Sequence, residues 1–299
     1  MPDLETTSRV SRRLRDVLEP FVGQVYFSPE CHRTYEKLGF GPSPASTGDV
    51  QLPDGPAYFT SRGSLMGQVP GEVVAAAFGV FNPAVVKPAV TMGWGLTDAA
   101  TICARRTEGA VAQLERILGA SPAGLDRVTE LLARITSGLQ PAGRPLYAGV
   151  LAQGAPGLPL GDVWWLGDLL REYRGDAHTA AWVAAGLDAV EIGLLSELWI
   201  GLPMGTYIRS RAWSPEQLVA GQDRLRERGL IDADGFTDEG RAIRGAVETA
   251  TDGQLGGVVG ALGEDADELF GILAGWSQQV IDQAGYPKAG ARSLSRKPD

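Results

Sequence analysis

Cysteine and histidine are nearly absent: Cys31, Cys103, His32 and His178 are the only ones in 299 residues. Two cysteines without metal-ligand spacing exclude a disulfide framework and fit two reduced thiols in a cytoplasmic protein. Two histidines so far apart form neither an HxxxH nor an HExxH pattern, so no metal is expected. Lysine is scarce too, with only Lys37, Lys87, Lys288 and Lys297, and the net charge is -9. A chain this acidic has no global attraction for nucleic acid or anionic lipid. No apolar run reaches the ~18 residues a membrane helix needs. The opening MPDLETTSRVSRRLRDVLEP turns polar and basic where a signal peptide would be apolar. GxSxG, P-loop and CxxC patterns are missing, as is a strand-preceded GxGxxG, so no cofactor is expected.

What remains is helix-forming sequence, and the expectation is a mainly α fold in two helical halves. Residues 8–137 read as an N-terminal helical domain, 138–160 as a Gly/Pro-rich connection, 161–286 as a C-terminal domain and 287–299 as a disordered tail. Val10, Leu14, Val17, Leu18 and Phe21 form the apolar stripe of a first helix. Residues 41–56 read as loop, and Pro83 and Pro88 as breaks after the helical run EVVAAAFGVF. Within REYRGDAHTAAW, Gly175 is expected to close one helix and Asp176 to cap the next, with Arg174 bridging the junction. Ser214 followed by Pro215 is a strong helix start. Trp94 and Trp213 each stand just before a helix, a hint that the halves are duplicated and packed like a fused dimer.

The stretch QDRLRERGLIDADGFTDEGRAI resembles the recognition helix, wing and following helix of MarR-like winged-helix regulators. The whole chain is also similar to a family of actinobacterial helix-turn-helix proteins of comparable length, through YFSPE, GEVVAAAFGVFNPA and REYRGDAH. The first resemblance implies a short β-wing at Asp232 to Gly235 and a ligand site between helices for an aromatic or amphipathic molecule. It also implies DNA contacts at Arg209, Arg211, Gln217, Arg224 and Arg228. The charges argue against that last implication. Residues 201–250 hold seven arginines (209, 211, 224, 226, 228, 241, 244) against eight acids (216, 223, 227, 232, 234, 238, 239, 248). The wing turn is Asp-Ala-Asp-Gly, where a groove reader carries basic residues.

His178 is the leading candidate for chemistry, placed by the expected junction near a helix N-terminus that would keep its ring neutral. Asp176 would orient it and Glu191, on an otherwise apolar helix, would act as the complementary acid. Trp164, Tyr173, Arg174 and Trp182 would wall a pocket for a planar or amphipathic small molecule. Tyr26, Phe27, Glu30 and His32 would line the same pocket if the halves pack face to face. Each has a plainer reading: a capped helix start, core tryptophans, a first-turn acid, and an ion pair for Glu191. The expected function is small-molecule binding on a MarR-like scaffold, as a monomer or homodimer. It extends to cofactor-independent acid–base catalysis (isomerase, cyclase or lyase) in bacterial secondary metabolism. The alternative is a ligand-responsive regulator that binds DNA.

Overall fold

The structure, a computed structural model, describes residues 2–288. The expected disordered tail lies almost wholly outside these residues. In chain order the elements are α1 (Leu4–Gly23), α2 (Pro29–Glu36), a hairpin of β1 (Ser46–Thr47) and β2 (Val50–Gln51), α3 (Gly55–Gly63), α4 (Gly71–Phe78), α5 (Pro83–Leu96), α6 (Ala99–Leu118), α7 (Leu125–Thr136) and α8 (Pro145–Gln153). There follow α9 (Pro159–Ala184), α10 (Ala189–Trp199), α11 (Pro215–Glu227), α12 (Asp238–Gly253), α13 (Gly256–Leu262) and α14 (Ala266–Asp282). The fold is mainly helical, and β1–β2 is the one sheet among the described residues.

Several local expectations are corrected. Residues 138–160 carry α8, and the stretch 41–56 contains the β1–β2 hairpin. Pro83 opens α5 behind the Asn82 cap, and Pro88 lies inside that helix. The largest correction concerns REYRGDAHTAAW: no junction exists there, because α9 runs unbroken through Gly175 and Asp176. A mid-helix glycine costs about 1 kcal/mol relative to alanine. Leu166, Leu169, Leu170 and Tyr173 before it, with Ala177 and Ala181 after it, keep the helix buried on both sides of Gly175. Burying such side chains is worth several times that penalty. The chain breaks instead at 185–188, where Asp188 and Glu191 form a capping box at the start of α10.

Freed from the capping role, Asp176 accepts the backbone N–H of Tyr147 at 3.0 Å. It thereby satisfies the first turn of α8, whose own N-cap residue, Arg144, makes no side-chain capping bond.

Helix α9 organises the molecule. Its first half sits in the main core with α1, α6, α7, α13 and α14, so residues before 138 and after 160 share one apolar cluster. Its end joins a second cluster with α10, α11 and α12, while α3 to α5 form a third. In the second unit α10 and α11 cross closely at Gly221, where a Cβ would lie 2.4 Å from Val190. Glu197, fully buried, ties the intervening loop by accepting the N–H groups of Gly205 (2.6 Å) and Ile208 (2.7 Å). After α11 a tight hairpin is closed by pairing of Ile231 with Phe236.

The units dock through the N-termini of α5 and α11. Asn82 donates its N–H to the Arg211 carbonyl (3.0 Å) and its side-chain amide to the Ala212 carbonyl and Gln217, while Trp213 donates to the Val80 carbonyl. No single helix among the described residues is long and apolar enough to cross a membrane.

Candidate functional site

One face of α9 carries Asp168, Arg171, Glu172, Gly175 and His178 at i, i+3, i+4, i+7 and i+10, so a polar stripe is carried into the interior. Buried charges need partners, and the surrounding helices supply them. Glu172, fully buried, takes two hydrogen bonds from Arg62 of α3 (3.1 and 2.7 Å) and one from Arg171 (2.9 Å). Arg171 also forks onto Glu19 of α1 (2.9 and 3.1 Å). Burial alone would raise the Glu172 carboxyl, but Arg62 and Arg171 overcome it and hold the group down at about 2.

One turn further on, Arg174 meets Glu248 (3.4 Å) and Asp252 (3.3 Å) of α12. Asp252 is itself held by Arg12 (2.6 Å) and the Ser11 hydroxyl (3.0 Å) of α1. Arg244, one turn before Glu248 on α12, donates to it at 2.7 Å. Burial would raise Glu248, yet Arg244 and Arg174 hold it well below the usual carboxylate range.

This network borders two adjoining cavities. One, of ≈ 190 Å³, lies between α1 and α9, with the bare backbone of Gly175 at its wall. The other, of ≈ 270 Å³, lies between α9, α10 and α12 and is lined by Arg15, Glu19, Arg174, His178, Arg244 and Glu248. Its remaining wall includes Val80, Ile192 and Ile208, with Tyr207 and Arg211 from the turn before α11. Arg211 bonds the Tyr207 hydroxyl, and its guanidinium lies over the Tyr207 and Phe81 rings (4.8 and 4.7 Å). His178 Nδ1 is 3.2 Å from the Thr251 hydroxyl. Burial, aided by Arg244, Arg174 and Arg15 against the opposing pull of Glu248, pushes its pKa down to about 3 and keeps the ring neutral.

The other predicted site residues are dispersed. Asp176 is turned toward α8, and burial pushes it up to about 6. Glu191 faces α11, accepting from Arg228 (2.7 Å) and from the Asp188 N–H (3.0 Å). His178, Asp176 and Glu191 are therefore not one constellation. Arg174 alone of the predicted binding group shares the larger cavity with His178. Tyr26 and Trp164 pack under Arg106, whose guanidinium is 5.9 and 4.8 Å from their rings. Tyr173 stacks between Tyr147 (5.1 Å) and Arg144 (3.9 Å). Trp182 is core of the C-terminal unit, and Phe27 meets Tyr286 edge-on. Glu30 pairs with Arg116 (2.8 Å), and His32 sits between the Tyr26 carbonyl and Gln51, each at 3.1 Å. The two histidines do not line a common cavity. Among the described residues no group of three His, Cys, Asp or Glu side chains is placed to hold a metal.

Sequence reasoning missed Arg15, Glu19, Arg244 and Glu248. Their signal was spacing: Arg15 and Glu19, like Arg244, Glu248 and Asp252, repeat at i, i+4 on one helix face.

The five residues expected to touch DNA are mostly engaged elsewhere. Arg224 pairs with Asp188 (2.6 Å), Arg228 with Glu191, and Arg211 is held by Tyr207 and Phe81. Gln217 closes a capping box with Ser214. Only Arg209 of the five is exposed without a side-chain partner among the described residues. Arg226 pairs with Asp223, and the hairpin turn exposes Asp232 and Asp234.

The C-terminal unit thus has two helices crossing at Gly221, the buried Glu197 carboxylate fixing the loop between them, and a hairpin after the second. A model described as a helix-turn-helix family matches residues 11–287, and the chain belongs to that family. No curated protein and no solved structure matches it.

Proposed function

We propose that this helix-turn-helix protein binds an anionic, amphipathic small molecule in the cavity between α9, α10 and α12. Arg244 carries the proposal. It is 4% exposed, one nitrogen is spent on Glu248, and its Nε and Nη1 have no hydrogen-bond partner among the described residues. Buried guanidinium donors left over in this way call for an acceptor. The same cavity is lined by four arginines, Arg15, Arg174, Arg211 and Arg244, and two carboxylates, Glu19 and Glu248; Asp16 and Asp252 pair with Arg15 and Arg174 from beside it. His178, being neutral, adds no charge. A carboxylate or similar head on Arg244, with its apolar body along Val80, Ile192 and Ile208, satisfies both halves of the wall.

The MarR-like resemblance supports this reading, since such folds hold amphipathic ligands between helices. Asn82-Pro83 and Ser214-Pro215 open α5 and α11 in the same way, and these helix starts pack together, which supports two related halves. Acid–base conversion of the ligand, if the molecule belongs to secondary metabolism, rests on His178 without Asp176 or Glu191. A second reading, a DNA-binding regulator, draws its support from family membership.

Native mass spectrometry of the purified protein tests the first reading: a small molecule should be retained by the wild type and lost in Arg244→Gln. Equal retention in that variant would sink it. Steeply salt-dependent binding to the protein's own upstream DNA, weakened by Arg209→Ala, would favour the regulator.

A further inference from the structure

A wider groove opens nearer the start of α9, between α6, α8 and α9, with a volume of ≈ 670 Å³. That lies within the roughly 300–1,000 Å³ typical of small-molecule sites. Its walls are apolar, with Val111, Val150, Leu158, Trp164 and Trp165 among them. Arg106 and Asp168 also line it, 2% and 1% exposed, joined from Nη2 to Oδ2 at 2.8 Å. The pair is incompletely satisfied: Arg106 Nε and Asp168 Oδ1 have no hydrogen-bond partner among the described residues. Two residues lining the groove thus hold one unused donor and one unused acceptor just beneath a mainly apolar surface. The Arg106 guanidinium is braced over the Trp164 ring at 4.8 Å, so its donor is held in place.

The charge of the site selects the ligand class. Arg106 and Asp168 cancel each other, and the groove also carries Glu108 and Glu115, which disfavour an anion. We infer that this groove is a second binding site, for a flat uncharged molecule that places an N–H beside a carbonyl, as a lactam or primary amide does. The ligand N–H donates to Asp168 Oδ1, its carbonyl accepts from Arg106 Nε, and its ring lies against the tryptophans. The site is separate from the arginine-lined cavity and stands whether or not that cavity binds an anion.

The probe is 2-quinolinone, a planar lactam, compared with N-methyl-2-quinolinone, in which a methyl group replaces the donor hydrogen. Binding is followed by tryptophan fluorescence and saturation-transfer NMR on the full chain. The wild type should bind 2-quinolinone about tenfold tighter than its N-methyl analogue, as expected for one hydrogen bond to a charged group. Ala104→Trp, at an exposed groove position, should abolish binding without touching the ion pair. Arg106→Met/Asp168→Leu replaces the pair by apolar groups that a folded core tolerates. With near-UV circular dichroism unchanged, it should bind both probes equally. Equal affinity of the wild type for the two probes, no binding of either, or undiminished binding in Ala104→Trp would each overturn the inference.

Discussion

Arg244 and Arg224 stand on two helices of the same C-terminal unit and carry the same charge in opposite surroundings. Arg224, on the helix expected to face DNA, is 43% exposed at its side chain and meets Asp188 at 2.6 Å and Glu191 at 3.7 Å. Arg244 is buried, shares Glu248 with Arg174, and keeps two nitrogens without a hydrogen-bond partner among the described residues. The exposed arginine is satisfied and the buried one is not. Desolvated donors lacking acceptors cost far more than solvated ones. The unmet donors of this unit therefore lie in its interior, while on its outer face Arg224 and Arg228 are paired and the hairpin turn exposes Asp232 and Asp234.

The sharpest way to break this contrast is to remove one carboxylate from each side. Glu248→Ala leaves Arg244 and Arg174 buried beside a single remaining acid, and should cost about 3–5 kcal/mol. Glu191→Ala removes part of a capping box and the buried partner of two arginines, Arg224 and Arg228, whose partly exposed guanidinium groups water can solvate, and should cost about 1 kcal/mol. Denaturant unfolding of both variants measures the difference, and equal losses would erase the distinction between interior and surface.

Acid titration comes next. His178 is neutral in the fold down to about pH 3, whereas the unfolded ring protonates near 6.5. The unfolded chain therefore takes up a proton the fold refuses. Stability present above pH 6.5 is lost toward pH 3, at up to about 1.4 kcal/mol per pH unit. His178→Gln should flatten that slope above pH 4.5. Below it, Glu172, held at about 2 against an ordinary 4.5, adds a loss of its own as it protonates.

A smaller effect of opposite sign belongs to Asp176. Its folded carboxyl titrates near 6 and its unfolded one near 3.8, so burying the charge becomes costly as the pH rises through that window. Asp176→Asn keeps an acceptor for the Tyr147 N–H and should stabilise by about 1 kcal/mol at pH 7 but not at pH 3.5. Thermal melts at the two pH values check this. The smallest effect is on the outer face: Arg224→Ala, which leaves Glu191 paired with Arg228, should change stability by no more than about 1 kcal/mol, read by the same melts.

What the sequence disclosed followed the range of the forces involved. The Ser214-Pro215 start of α11 is local chemistry and was legible from two residues. Gly175 and Asp176 carry equally local stop and start signals, yet α9 continues because burial on both sides of Gly175 outweighs one glycine. His178 and Arg174 were singled out and do border the cavity. Arg15, Glu19, Arg244 and Glu248 come from α1 and α12, more than 60 residues away in either direction, so only the packed structure places them there. The acidic hairpin turn was readable directly, but not the pairing of Arg224 and Arg228, which depends on how α10 and α11 cross.

The most direct test of an interior anion site uses two fluorescent dyes that differ by one charge. 8-Anilinonaphthalene-1-sulfonate carries an anionic head on an aromatic body, and N-phenyl-1-naphthylamine is the same molecule without the sulfonate. Each is titrated into the wild type and into Arg244→Gln, with near-UV circular dichroism confirming the fold. The sulfonate dye should bind the wild type and weaken about tenfold or more in the variant, while the neutral dye should not distinguish them. Sulfonate binding that is the same in both proteins would contradict it.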